Sequence, residues 1–295
     1  MTILMSRLVF APSVAVVGAT RMFLDGVDDA VFMAGAEDAA EQVGTPLNEL
    51  ITRLARDPQN EGNGDDIAEF AGRQCYRSWT NGRAPAEYID NVISEGHGSI
   101  FQHSNIVMQI TGISRALSHE LVRHGTGTGF SQESQRYVDA KDIRFVVPPI
   151  TVEHLEGMSD IEALVDEEFT IFRRGCQNSL ESYTAYQAKI SDRLAEMKAD
   201  GNYKDLTAYK KRANEAARAL LPNACETRMV FSANLRSMRH ILSLRGTEYA
   251  DLEIRRLMIP ILGAVRQYAP EFFRTVVQDV GADGRAAITA LCGKV

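Results

Sequence analysis

A chain of 295 residues with 45% hydrophobic and 24% charged side chains is long enough to bury a core without disulfides or a structural metal. Its net charge of −7 argues against DNA or RNA as a partner, and its four scattered cysteines, Cys75, Cys176, Cys225 and Cys292, make no CxxC pair for a metal. That cysteine usage fits a reducing, cytoplasmic setting, and the apolar run Leu8–Val17, broken by Pro12, is too short to span a membrane. Of the 32 basic residues, 25 are Arg and seven are Lys. Such an excess fits either GC-rich codon usage or forked recognition of phosphates and carboxylates, and position has to decide.

Ser13–Val17 reads as a first buried strand ending at Gly18. A helix is expected from Pro46 to Arg56, then an acidic loop around Gly62-Asn63-Gly64, then helices over Ile67–Tyr76 and Ala84–Ser94. Glu95–Ser99 breaks the periodicity, and Ser104–Ile110 alternates as a strand with Ile106, Met108 and Ile110 on one side. Apolar residues at 113, 116, 117 and 121 follow helical spacing, with Arg115, His119 and Arg123 on another face, so a helix delivers Arg123 and His124. The Gly-rich turn 125–129 leads into a second strand through Tyr137, and Pro148-Pro149 closes the region.

A long amphipathic helix is expected over Asp160–Met197, with Ile161, Leu164, Phe169 and Phe172 as packing material. A helix over Leu206–Leu221 is stopped by Pro222, Thr227–Ser232 is strand-like, and a helix over Asn234–Leu244 leads into Arg245. Helices and a few strands mix without regular βα alternation. The expected fold is α+β, a single domain over 1–295. It has a small, mostly antiparallel sheet flanked by long helices and a helical segment at 155–215 packed on it.

Two chemistries compete for the residues between 121 and 137. Leu121–Thr126 spells the phosphate-cradling start of a histidine phosphatase, whose His attacks phosphorus. That chemistry needs a buried strand before Arg-His-Gly, near the start of its domain, whereas here a helix precedes it more than a third of the way along the chain. In the strand after the turn, Gln132, Ser134 and Arg136 share one face. An amide, a hydroxyl and a forked cation suit a polar anionic ligand, although a solvated strand face reads the same way.

The run Phe130-Ser131-Gln132-Glu133-Ser134-Gln135-Arg136-Tyr137-Val138 resembles the YSQxSQRYV signature of the flavin-dependent thymidylate synthases. Four further segments match that family in order. Ala71-Gly72-Arg73-Gln74-Cys75 is similar to AxRxS, and Gly96-His97-Gly98-Ser99-Ile100-Phe101-Gln102-His103 to GHxTPFEH. Ala217-Arg218-Ala219-Leu220-Leu221-Pro222 is similar to ARxxLP, and Asn234-Leu235-Arg236-Ser237-Met238-Arg239-His240 with Leu244-Arg245 to NxRSLxxFLxLR. The resemblance covers about residues 70 to 260.

The resemblance implies reductive methylation of dUMP at C5, with methylene-tetrahydrofolate supplying the carbon, FAD carrying hydride and NADPH reducing the flavin. It also implies a homotetramer with shared active sites. Carried over by position, Glu120, Gln132, Ser134, Arg136, Arg218 and Arg245 would hold the nucleotide. Ser134, Arg136 and Arg218 would clamp its phosphate dianion. Arg245 would be catalytic, polarising the C4 carbonyl of the pyrimidine. It reads equally as a cation closing the C-terminal end of its helix. Cys75, His97, Ser99, Gln102, Arg123, His124, Ser131, Asn234, Arg236 and His240 occupy the flavin-binding positions. Cys225 has no neighbouring His or basic cluster in sequence, so nothing points to the activated thiolate of a conventional cysteine-dependent thymidylate synthase.

The chain departs from the family pattern at several points. Gly125 stands where the family's second motif Arg belongs, and the turn is one residue longer. Ser99 and Gln102 replace Thr and Glu, and Tyr249 replaces a His common after the final Arg. These changes bear on flavin geometry and nucleotide identity more than on fold. The runner-up reading is a C5-alkylating relative acting on UMP or dCMP; a third is a catalytically silent nucleotide- and flavin-binding homologue.

Overall fold

A computed structural model describes residues 5–21, 63–76, 78, 83–199 and 206–291. The helix expected at Pro46–Arg56, Gly62 of the acidic loop and Cys292 lie outside them. The strands are β1 (Leu8–Val9), β2 (Ser13–Ala19), β3 (Asn105–Ser114), β4 (Thr128–Gln132), β5 (Phe145–Val146), β6 (Glu226–Asn234), β7 (Val276–Val280) and β8 (Ala286–Leu291). The helices are α1 (Gly64–Tyr76), α2 (Pro85–Glu95), α3 (Arg115–Leu121), α4 (Pro149–Leu155), α5 (Asp160–Val165), α6 (Glu167–Ala199), α7 (Leu206–Ala217), α8 (Leu235–Arg245), α9 (Leu252–Tyr268) and α10 (Pro270–Phe273). The α+β class is as expected. One sheet has the order β2-β3-β6-β4; β1 pairs with β5 in parallel, and β7 with β8 antiparallel. No helix among the described residues is long and apolar enough to cross a membrane.

The chain forms two compact units, 1–13 with 110–123 and 131–229, and 14–109 with 124–130 and 230–295. The first, hereafter unit 1, is built on Phe145, Phe169, Tyr183, Ala217 and Cys225. The second, unit 2, contains the buried aromatics Phe101, Phe272 and Phe273, the first two stacked with ring centroids 3.9 Å apart.

Local chemistry explains where the elements start. Asn63 Oδ1 accepts from Asp65 N and Asp66 N, and Asp66 Oδ2 accepts from Asn63 N, a reciprocal cap that opens α1 three residues before the expected start. Pro85 begins α2, and Gly96, at φ 78°, ends it in the left-handed conformation. In β3 the expected face, Ile106, Met108 and Ile110, is fully buried. The strand runs on to Ser114, whose hydroxyl accepts from Leu117 N and caps α3. Ile113 therefore belongs to the strand and not, as its spacing suggested, to the helix.

Three further expectations are corrected. The strand over Ser13–Val17 exists but is largely exposed, Val16 at 48% and Val17 at 56%, because β2 is an edge strand. The long helix over Asp160–Met197 is broken at Asp166, which leaves helical geometry and caps α6 by accepting from Phe169 N at 2.8 Å. Ile161 is 75% exposed and Leu164 39%, so only Phe169 and Phe172 of that expected packing face are covered. The strand after the Gly-rich turn stops at Gln132, and Ser134–Tyr137 is a turn in which Tyr137 N and Val138 N donate to the Ser134 carbonyl. Period-two alternation therefore does not put Gln132, Ser134 and Arg136 on one face.

Candidate functional site

In unit 1, Gln132 at the end of β4 donates from Nε2 to Ser118 Oγ at 2.8 Å and to Thr227 Oγ1 at 3.1 Å. In the following turn Arg136 N donates to Ser134 Oγ at 3.3 Å, so these two candidate residues meet after all, through turn geometry. Helix α7 grips that turn three times. Glu215 accepts from Arg136 Nη2 at 3.1 Å, Asn214 donates to the Arg136 carbonyl at 3.4 Å, and Lys211 Nζ donates to Tyr137 Oη at 2.6 Å. The last contact holds the Tyr137 hydroxyl below its ordinary value. Arg136 Nε is buried and finds no hydrogen-bond partner among the described residues, an unmet cationic donor among the residues expected to bind phosphate.

Arg218 opens the short helical turn after α7 and is half-buried. Its charge acts on Arg115, whose guanidinium is lowered first by burial, with Cys225 opposing and Arg218 adding to the effect. Arg115 was not singled out for the site. It braces the motif by donating to the Glu133 carbonyl, Thr227 Oγ1 and Gln135 Oε1, each at 3.2 Å. Its position on the His119–Arg123 face was the only sequence signal. Glu120 is half-exposed; Arg123 and Ser131 are exposed.

In unit 2, Cys75, His97, Ser99, Gln102, Arg236 and His240 are all exposed. Tyr76 Oη lies 3.3 Å from His97 Nδ1, and the two rings stack with centroids 5.8 Å apart. Asn234 caps α8, its Oδ1 accepting from Ser237 N at 2.8 Å. Arg245 Nε donates to His124 Nε2 at 3.0 Å, and His240 meets His124 edge-on. Burial, then Arg245, then His240 lower the His124 imidazole from its ordinary value, so at neutral pH it is an uncharged acceptor. A helix, α3, does lead to Arg123-His124, as expected from the sequence, and the buried strand that a phosphatase needs there is replaced by it.

The candidate residues thus divide by unit. Apart from Arg245, the nucleotide set lies in unit 1; apart from Arg123 and Ser131, the flavin set lies in unit 2. A cavity of about 230 Å³ in unit 1, lined by Glu133, Gln135, Asp139, Arg144, Glu226 and others, includes none of them. Its Arg144–Glu226 pair closes on itself with contacts of 2.6 and 2.5 Å. Burial pushes the Cys225 thiol up to about 12, so it stays protonated and is no nucleophile.

Comparison with known proteins now gives the class. The family described as Thymidylate synthase complementing protein matches residues 59–271. The flavin-dependent thymidylate synthase of Mycolicibacterium vanbaalenii is 39% identical over 231 residues, which is 77% of this chain and 85% of the relative. Those of Mycobacterium tuberculosis and Mycobacterium avium are each 38% identical over 231 residues, with the same coverage. The chain belongs to the flavin-dependent thymidylate synthase family and is a methyltransferase of that family.

Proposed function

We propose that this chain converts dUMP to dTMP by reductive methylation at C5, with methylene-tetrahydrofolate as carbon donor and NADPH as the source of reducing equivalents. The observation that carries the nucleotide reading is the buried Nε of Arg136, which finds no hydrogen-bond partner among the described residues, in a turn where the Arg136 main-chain N–H donates to Ser134 Oγ. A phosphate dianion supplies an acceptor for this Nε, while Nη2 faces Glu215. Arg245, already anchored through Nε to His124, is held ready to polarise a pyrimidine carbonyl.

The flavin reading rests on the donor set of unit 2. Arg236, the neutral His124 and the Asn234 carboxamide suit a cofactor that combines a phosphate-bearing tail with a hydrogen-bonding ring. FAD, when bound, supplies the hydride for the reduction. No protein nucleophile is required, in keeping with the protonated Cys225. We further read the active form as a cytoplasmic homotetramer with shared sites. The free state of Cys75, Cys176 and Cys225 supports a reducing compartment.

The deciding experiment is the absorbance spectrum of purified protein, followed by bleaching with NADPH and product analysis with dUMP, UMP and dCMP in turn. A yellow protein that is bleached and yields dTMP is expected. Turnover of UMP or dCMP instead would shift the substrate, and a flavin-bound protein with no turnover would mark a silent binder.

A further inference from the structure

The turn that separates this chain from its family lies as a strap along one face of α8. Ser237 donates its hydroxyl to the Thr126 carbonyl at 2.8 Å, and Asn234 N donates to the Gly127 carbonyl at 3.0 Å. Two to three residues earlier, His124 accepts from Arg245 at 3.0 Å and meets the His240 ring at 6.2 Å. The start of the strap touches the end of the helix, and its middle touches the beginning. Asn234, Ser237 and His240 stand three residues apart, and so share one helix face, to which Arg245 reaches back from the last turn.

What lets the strap seat is Gly127. It adopts φ 67°, a left-handed conformation that other residues enter only at a cost. A Cβ there would stand 2.3 Å from Asn234 Nδ2 and 2.4 Å from Ser237 Oγ, well inside contact distance; the Asn234 carboxamide caps the helix start, and the Ser237 hydroxyl ties the strap to the helix. Gly125 differs: both glycines are exposed, but a Cβ on Gly125 would meet nothing within 4 Å among the described residues.

We propose that Gly127 is a positioning residue of the cofactor site, seating the strap on α8 so that His124 and the Asn234 carboxamide are held in fixed register along one helix face. The proposal rests on the reading of His124 and Asn234 as flavin-holding residues, and its test separates the two ideas.

Wild-type protein, Gly127→Ala, Gly125→Ala and Ser237→Ala are compared by FAD titration, by thermal unfolding and by NMR titration of the histidine imidazoles in flavin-free protein. Gly127→Ala is expected to weaken FAD by about tenfold or more, the cost of overpacking a tight contact. It should also separate His124 from Arg245, so that the His124 midpoint rises toward the ordinary histidine value, a change that lowered stability alone does not produce. Gly125→Ala is expected to match wild type in both readouts, and Ser237→Ala to shift both in the direction of Gly127→Ala. A Gly127→Ala protein with wild-type FAD affinity and an unmoved His124 midpoint overturns the proposal, as does a Gly125→Ala protein that behaves like Gly127→Ala. If Gly127→Ala does not fold, Ser237→Ala decides: unchanged FAD binding and an unchanged His124 midpoint overturn the proposal. Wild-type protein that takes up no FAD removes the flavin reading, and the strap then stands or falls on the His124 midpoint in the two glycine variants.

Discussion

In unit 1 the turn Ser134–Tyr137 is held by charged side chains of α7 that water can reach: Arg136 and Glu215, whose side chains are 40% and 43% exposed, face one another at 3.1 Å. In unit 2 the strap 124–129 is held by backbone carbonyls seated on a capped helix start, with a glycine where no side chain fits. Exposed ion pairs are weak and readily exchanged. The strap is fixed differently, by a glycine whose left-handed backbone other residues enter only at a cost and whose Cα faces the Asn234 and Ser237 side chains. The first kind of support lets a charged ligand take over a contact as it arrives; the second fixes a geometry beforehand. The same difference runs deeper into unit 2, where Arg73 and Glu69 form a pair with side chains 0% and 1% exposed.

The largest expected effect lies in that buried pair. Arg73 donates to Glu69 Oε1 at 2.8 Å and to the Ser78 and Arg83 carbonyls. Glu69→Ala leaves a buried guanidinium short of its counter-charge and should cost about 3–5 kcal/mol in urea unfolding. Glu215→Ala, the exposed counterpart, should cost less than about 1 kcal/mol. Equal losses in the two variants would remove the distinction between the units.

Asp65 tests the stiffness of unit 2 through pH. Burial raises its carboxyl from the ordinary 3.8 to about 7, against hydrogen bonds from Glu271 N and Phe272 N; the Asp66 and Glu271 charges add to the rise. A carboxyl whose folded value is raised binds its proton more tightly in the native state than in the unfolded one. Its stabilising contribution is therefore complete below about pH 4 and is lost as pH rises through about 7. Unfolding free energy should fall by a few kcal/mol across that window, and Asp65→Asn should flatten the fall. A wild-type profile that rises from pH 4 to 7 at the same steepness as that of Asp65→Asn would contradict the assignment.

For the exchangeable turn, Arg136→Ala and Arg218→Ala should each weaken dUMP binding by about 1.5–3 kcal/mol, the usual worth of a hydrogen bond to a charged group. Flavin content should stay near wild type, since neither residue belongs to the flavin set. Calorimetry that finds unchanged dUMP affinity in both variants would refute the phosphate clamp. The smallest effect is spectroscopic: Lys211→Met removes the hydrogen bond that lowers the Tyr137 hydroxyl, and an ultraviolet titration should then show that phenol ionising at higher pH.

The amino-acid sequence alone determined the α+β class, most of the elements between residues 64 and 245 to within a few positions, and the family. The reason is that periodicity, caps and motif order are local. Pro85 and Gly96 bound α2 by their own backbone preferences, and Ile106, Met108 and Ile110 declare a buried strand face by alternation. Asp166 followed by Glu167 and Glu168 is also a local helix start, and it splits the long helix. Past Arg245 no element was expected; α9 and the β7–β8 hairpin occupy that stretch.

Which side chains meet, and which faces water reaches, follows from packing between segments distant in sequence. Arg136 meets Glu215 79 positions away, and Arg245 meets His124 across 121. The exposure of β2 depends on its place at a sheet edge, and the burial of Arg73 on Glu69 and two loop carbonyls. A sequence specifies donors and acceptors one residue at a time. Whether a cation ends up screened by water or locked in a dry pair depends on what the fold packs against it, and the energies of those two outcomes differ by several kcal/mol.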